Sequence, residues 1–148
     1  AIKSISDMHL NAKFLFVGDG PDHDQLKNVI ISNSLSGVCS ISPWQSDVYD
    51  LYRTCDCVVL PSRYEGVSLV MLEAISMQKP LIASDLAINS SFVNDDFLFE
   101  SENPVSLANQ LLQMYRLLEC GGWHSTNNYF KLPICKPADL SLKIKTWM

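Results

Sequence analysis

The chain has 148 residues, of which 47% are hydrophobic and 18% charged, with a net charge of -5. This fits a soluble globular domain with enough chain for a real core. The acidic balance speaks against a nucleic-acid partner, because phosphate backbones are bound by clustered Lys and Arg, and no apolar run is long enough to span a bilayer or shaped as a signal peptide. The five cysteines, Cys39, Cys55, Cys57, Cys120 and Cys135, are odd in number and lack metal spacing, which suits reduced thiols in a cytoplasm. With only His9, His23 and His124 to add, no metal site is expected.

Ile2, Ile5 and Met8 fall at helical spacing, so the chain opens inside or near the end of a helix. Phe14-Leu15-Phe16-Val17 then reads as a buried strand. Gly18-Asp19-Gly20-Pro21 follows it and leads into a helix, with Pro21 at a first-turn position and Asp22 and Asp24 favoured by the helix dipole. The loop is half of a dinucleotide fingerprint, since His23 stands where the third glycine belongs. Asp22-His23-Asp24 spells a D-x-D metal motif, but residues separated by one position on a helix point to different faces. Val38 to Ile41 is the next strand. Ser42-Pro43-Trp44 is the loop at its C-terminal end, the side on which open parallel sheets bind ligands. Trp44 there either meets a ligand or covers core. Asp47 to Thr54 is an amphipathic helix with Val48, Leu51 and Tyr52 inward, and Cys55 and Cys57 read as small core residues.

Cys57 to Leu60 and Leu81 to Ala83 read as two buried strands with one helix between them. Ser68 can cap that helix, and Leu69, Val70, Met71, Leu72, Ala74, Ile75 and Met77 make it apolar almost all round, as if packed on most sides. One charge, Glu73, interrupts the apolar surface and requires a partner. Glu65 stands eight positions earlier in the loop. Gly66 lets a ligand approach the backbone, and the amides of Gly66, Val67, Ser68 and Leu69 are the free donors of a helix N-terminus, where phosphate is favoured. The stretch thus offers an anion cradle flanked by two carboxylates. A nucleotide sugar matches it, because a carboxylate can accept from both hydroxyls of a ribose. The plainer alternative is that Glu73 is paired with a lysine or arginine in an ordinary strand, loop and helix.

Further on, Leu86-Ala87-Ile88-Asn89-Ser90-Ser91-Phe92-Val93 precedes a last short strand, Phe97-Leu98-Phe99. Asn103 caps a helix begun by Pro104, with Leu107, Leu111, Met114 and Leu118 on one face. Residues 1–120 form the domain. Residues 121–148 form a tail in which Lys131, Lys136, Lys143 and Lys145 stand against Asp139 alone. With Leu140, Leu142, Ile144 and Trp147, the tail suits either a docking helix or contact with a membrane surface. Alternating strands and helices argue an α/β fold: a Rossmann-like parallel sheet with helices on both faces.

Pro61-Ser62-Arg63-Tyr64-Glu65-Gly66, Leu72-Glu73-Ala74 and Lys79-Pro80-Leu81-Ile82-Ala83-Ser84-Asp85 together resemble the E-x7-E region of the retaining glycosyltransferases of family 4. Val17-Gly18-Asp19-Gly20-Pro21, Asp47 to Tyr52 and Phe97-Leu98-Phe99 extend the resemblance, which covers about residues 13 to 118. It implies the C-terminal, donor-binding half of a GT-B enzyme, in which two Rossmann-like domains face each other across a cleft. It further implies a UDP- or GDP-sugar substrate with no cofactor and no metal, retaining transfer of a hexose in polysaccharide or glycolipid synthesis, and a cytoplasmic location with room for peripheral membrane contact. On it, Glu65 takes the hydroxyls of the donor sugar as the catalytic residue, and Glu73 takes the ribose hydroxyls. The backbone of Gly66, Val67, Ser68 and Leu69 holds the diphosphate or adjacent sugar. Gly18 and Gly20 line the cleft, and Trp44 lies near the base.

Two departures stand out. The chain is expected to be truncated before its first helix, without the strand that carries the family's basic residues and without the N-terminal acceptor-binding domain, and so to be inactive alone. The family's Gly-Gly and Glu after Asp85 are also missing, Ser91 occupying the place of the Glu. A non-catalytic nucleotide-sugar-binding module would show both departures. A GT-B-type epimerase, the other alternative, would need a histidine and carboxylate set that is not found.

Overall fold

The computed structural model describes residues 1–121. They divide into two compact units, one of Ala1–Val48 and one from Tyr49 onward. Every strand pairing in both is parallel, as the alternation of strands and helices predicts. The basic tail and the roles expected for it lie outside the described residues.

The first unit runs α1 (Ile2–Asp7), β1 (Phe14–Val17), α2 (His23–Ser32) and β2 (Cys39–Ser42). β1 and β2 pair with Phe14 opposite Cys39 and Val17 opposite Ser42. Ile30, Leu35 and Cys39 are its buried centre, with Ile2, Phe14, Phe16 and Leu26 packed against them. β1 is buried on one face only, since Leu15 and Val17 are exposed. An unbroken apolar run does not reveal which face is covered, and here the run overstates burial. Ile5 is buried as expected, whereas Met8 lies at the C-cap of α1 and is exposed. Asp22 is the N-cap of α2, so Pro21 lies just before the helix and not in its first turn. At the other end Ser34 takes a left-handed φ of 58°, and Leu35 N donates back to Ile30 O at 2.9 Å. This closes a Schellman turn whose two apolar residues join the core.

The second unit runs α3 (Tyr49–Thr54), β3 (Val58–Leu60), α4 (Leu69–Ser76), β4 (Leu81–Ser84), two 3-10 turns (Asn89–Ser91 and Asp95–Phe97), β5 (Leu98–Phe99) and α5 (Pro104–Glu119). Its sheet has the order β3-β4-β5, with Val58 opposite Leu81 and Ala83 opposite Leu98. β4 lies in the middle and is buried along its whole length. Met71, Ala74, Ile82 and Ala83 are fully buried at 0% exposure. A fully buried side chain of the size of Met or Ile stabilises by about 1.5–3 kcal/mol, so α4 and β4 are the anchors of this unit. α3 begins at Tyr49, two residues later than the apolar spacing suggests, and β3 begins at Val58.

The ends of the helices follow local chemistry. Asn103 caps α5, its side chain accepting from Val105 N and Ser106 N at 3.0 Å each, with Pro104 in the first turn. α4 stops in a second Schellman turn, where Gln78 has φ 54° and Lys79 N donates to Ala74 O at 2.9 Å. Pro80 then starts the chain into β4, its carbonyl accepting from Val58 N at 2.8 Å. Among the described residues no helix is long and apolar enough to cross a membrane.

Candidate functional site

The segment between β3 and α4 brings most of the expected site residues together. Glu65 lies in the loop and is half-buried, with Ser62 Oγ donating to Glu65 Oε1 at 2.7 Å. Ser62 is itself fastened to the neighbouring strand, because Ser84 Oγ at the end of β4 donates to Ser62 O at 2.7 Å. Gly66 follows. A Cβ built there meets nothing within 4 Å and its φ is not left-handed, so the chain itself does not demand a glycine at this point. Open space above a bare backbone is what close approach by a ligand requires.

α4 begins at Leu69 with Ser68 as its N-cap. Ser68 takes the extended backbone of a cap, but its hydroxyl makes no capping hydrogen bond. Among the described residues no acceptor meets the amides of Gly66, Val67, Ser68 or Leu69, and Leu72 N is the first amide to bond back, to Ser68 O at 3.1 Å. Those of Ser68 and Leu69 belong to the orphan donors every helix start leaves, where the helix dipole is positive, whereas Gly66 and Val67 present theirs from the loop before the helix and not, as expected, from its first turn. The first turn departs from the expectation of a helix packed on most sides. Leu69 and Val70 are exposed, as are Val67 and Tyr64 in the loop, and only Met71, Ala74 and Ile75 enter the core. An apolar helix surface in the sequence thus has two destinations, a buried second turn and an uncovered first one.

Glu73 sits one turn into α4 and is half-buried. Its partner is a phenol: Tyr52 OH donates to Glu73 Oε2 at 2.8 Å and lies 3.4 Å from Val70 O. Tyr52 is 8% exposed. Burial first, and then the hydrogen bond and the negative charge of Glu73, push its phenol well above the usual tyrosine range, so it stays a donor at neutral pH. Tyr52 was expected inward for packing, and nothing in the local pattern announced that its hydroxyl meets a carboxylate 21 residues away. Among the described residues, the ion pair that formed the plainer alternative for Glu73 is absent. Among the described residues no Lys, Arg or His lies within ion-pair distance of Glu65 or Glu73, and Arg63, beside the first of them, pairs with Glu102 at 3.0 Å. Each acid is therefore held by one neutral donor and keeps acceptor capacity for a second partner.

The remaining expected site residues belong to the first unit. Gly18 has φ 137°, a conformation only glycine adopts with ease, and its amide donates to Ser42 O at 3.0 Å. A Cβ at Gly20 would meet nothing within 4 Å. Asp19 Oδ2 accepts from Trp44 N at 2.9 Å, which ties the loop after β1 to the loop after β2. Trp44 is 68% exposed, so it does not cover core, and of its two expected roles only an exposed one remains.

Ser91 closes a 3-10 turn, its hydroxyl bonding to Ala87 O at 3.1 Å. Asn89, at the start of the same turn, is fully buried, a position sequence reasoning passed over. Among the described residues no group of three His, Cys, Asp and Glu is placed to hold a metal ion. Cys55 and Cys57 are half-buried free thiols. Burial pushes the Cys57 thiol up to about 12, so it is no nucleophile at neutral pH.

The profile of the family described as glycosyl transferases group 1 matches residues 1–116. An uncharacterized glycosyltransferase of Methanocaldococcus jannaschii is 31% identical over 117 residues, which is 76% of this chain and 33% of that protein. The UDP-Gal:alpha-D-GlcNAc-diphosphoundecaprenol alpha-1,3-galactosyltransferase of Escherichia coli is 33% identical over 105 residues, 68% of this chain and 27% of that protein. The chain thus spans about a third or less of these relatives. Among solved structures, a mutant of S. aureus TarM in complex with fondaparinux, alpha-GlcNAc-glycerol and UDP superimposes with a TM-score of 0.70 at 25% identity, covering 78% of this chain and 24% of that one.

Proposed function

Because the chain belongs to the group 1 glycosyl transferases, enzymes of GT-B architecture, we propose that its unit from Tyr49 onward binds a nucleoside-diphosphate sugar and takes part in transferring the hexose with retention. The observation that carries this reading is the state of Glu73: half-buried, held by a phenol, paired with no cation among the described residues, and one turn beyond a row of amides without a described acceptor. A carboxylate so held can accept from both ribose hydroxyls, each such bond contributing about 1.5–3 kcal/mol. Glu65 takes hydroxyls of the donor sugar, and the amides of Gly66 to Leu69 take the diphosphate.

Chemically, the bond from the sugar to the diphosphate breaks, and negative charge builds on the departing phosphate oxygens. The fixed amides and dipole of α4 point donors at that charge and need no reorganisation as it develops. Glu65 orients the sugar so that the acceptor hydroxyl meets the reacting carbon from the face the diphosphate leaves, its proton passing to the departing phosphate oxygen, which keeps the configuration. None of these roles calls on a metal ion or a protein nucleophile. The acceptor is presented by a second α/β domain, for which the greater length of the relatives leaves room. An acceptor in polysaccharide or lipid-linked glycan synthesis, at the cytoplasmic face of a membrane, accords with the diphosphoundecaprenol in the name of the E. coli relative.

Isothermal titration of UDP and of GDP into the full-length protein tests this. One of the two is expected to bind, and Glu73→Ala to weaken it at least about a hundredfold, the lower bound for two hydrogen bonds to a charged group. A wild-type protein that binds neither nucleotide contradicts the reading.

A further inference from the structure

Asn89 stands in the turn after β4 with its side chain 0% exposed. Its Nδ2 donates to Ser84 O at 2.9 Å and reaches Ser84 Oγ at 3.4 Å. Ser84, also 0% exposed, uses its one hydroxyl proton on Ser62 O at 2.7 Å, and Ser62 uses its own on Glu65 Oε1 at 2.7 Å. The direction of this chain is fixed by valence. A serine hydroxyl has a single proton, so toward Asn89 the Ser84 oxygen is an acceptor and the amide must present its NH2. The amide oxygen, Asn89 Oδ1, is then buried with no partner among the described residues. A buried acceptor left unmatched is costly, and a native fold retains one where the group serves another purpose. Here that purpose lies at the far end of the chain of donors, where a loop with no helix or strand of its own carries a carboxylate.

We propose that Asn89, acting through Ser84 and Ser62, is a positioning residue for Glu65: it holds the loop after β3 against the end of β4, so that Glu65 meets the donor sugar at a fixed distance. This rests on the assignment of Glu65 to the donor sugar made above. Ser62 touches Glu65 directly, and Asn89 acts only through the two serines.

The test uses the full-length protein and measures release of UDP or GDP from UDP-glucose, UDP-galactose, UDP-N-acetylglucosamine and GDP-mannose, beside the Kd of the free nucleotide and Tm. Ser62→Ala is expected to lower kcat tenfold to a hundredfold, the scale at which small misplacements of a reacting group are felt, with the nucleotide Kd unchanged within twofold. Ser62→Thr, which keeps a hydroxyl, restores most of the rate. Asn89→Ala lowers kcat in the same way, and the Ser62→Ala/Asn89→Ala double variant is no slower than the slower single one, because both act along one path. A Ser62→Ala enzyme with unchanged kcat overturns the proposal even if Asn89→Ala fails to fold, and so do losses that multiply in the double variant. Glu65→Gln separates the two levels. If it leaves turnover intact, the assignment of Glu65 falls and this proposal with it; if it abolishes turnover while Ser62→Ala is inert, only the chain from Asn89 fails.

Discussion

Glu65 and Glu73 are both fastened by a hydroxyl and, among the described residues, by no cation, yet the two fastenings are built differently. Glu73 projects from a helix whose inner face is fully buried, and Tyr52, which grips it, comes from a second helix. Glu65 projects from a loop and is gripped by Ser62 three residues before it, so the rigidity of that pair has to be imported from β4 through Ser84. The helix-borne acid is suited to a ground-state contact that sets affinity. The loop-borne acid depends on its bracing, and precision of placement matters most for the step that breaks the bond.

That contrast predicts crossed phenotypes. Glu65→Gln is expected to reduce turnover by a hundredfold or more while nucleotide Kd stays within about threefold, whereas Glu73→Gln raises the Kd for UDP or GDP by about thirtyfold to a hundredfold. Steady-state kinetics and calorimetry on both variants decide it, and two variants with the same profile would abolish the distinction. Next in size is Tyr52→Phe. It removes the donor from a half-buried carboxylate, a loss of about 1–3 kcal/mol in denaturant unfolding, and loosens nucleotide binding several-fold while leaving Ser62 and Glu65 untouched.

Alkaline pH sharpens the comparison further, because a phenol titrates and a serine does not. With its folded pKa raised above the unfolded value near 10, Tyr52 favours folding fully below pH 10 and loses that contribution as pH rises beyond it. Cys57, raised from 9.0 to about 12, acts the same way between those values. Stability should therefore fall above pH 9, by at most about 1.4 kcal/mol per pH unit for each group. The fall should be shallower in Cys57→Ala and shallower still with Tyr52→Phe added. A pH-independent difference between wild type and variants up to pH 11 would contradict these shifts. The smallest expected effect lies at the other end of α4. Gln78 holds a left-handed φ of 54°, and Gln78→Gly should stabilise by about 0.5–1 kcal/mol with no change at either acid.

How much of this was legible follows from the range of each interaction. β1 and the cap of α5 appear where short-range rules put them, since a strand-forming run and an Asn-Pro pair act over a few residues. The acids, Gly66 and the free amides were legible as a motif. The partners were not: Tyr52 and Glu73 are 21 positions apart and Ser84 and Ser62 are 22, and no periodicity encodes a contact of that kind. Exposure misled in the same way. The apolar first turn of α4, Leu15 and Val17 all read as core, because hydrophobicity in a sequence does not say which face a neighbour will cover. Asn89 went unread because a polar residue in a turn usually reports solvent, and here it is wholly buried.

The central claim is that two carboxylates and the helix start between them form one donor site. A crystal structure of the full-length protein with UDP or GDP tests it most directly. The account predicts both ribose hydroxyls within about 3.2 Å of the Glu73 carboxylate, with phosphate oxygens on the amides between Gly66 and Leu69 and Tyr52 still bonded to Glu73. A nucleotide seated elsewhere, or a Glu73 that makes no contact with the ribose, would contradict it.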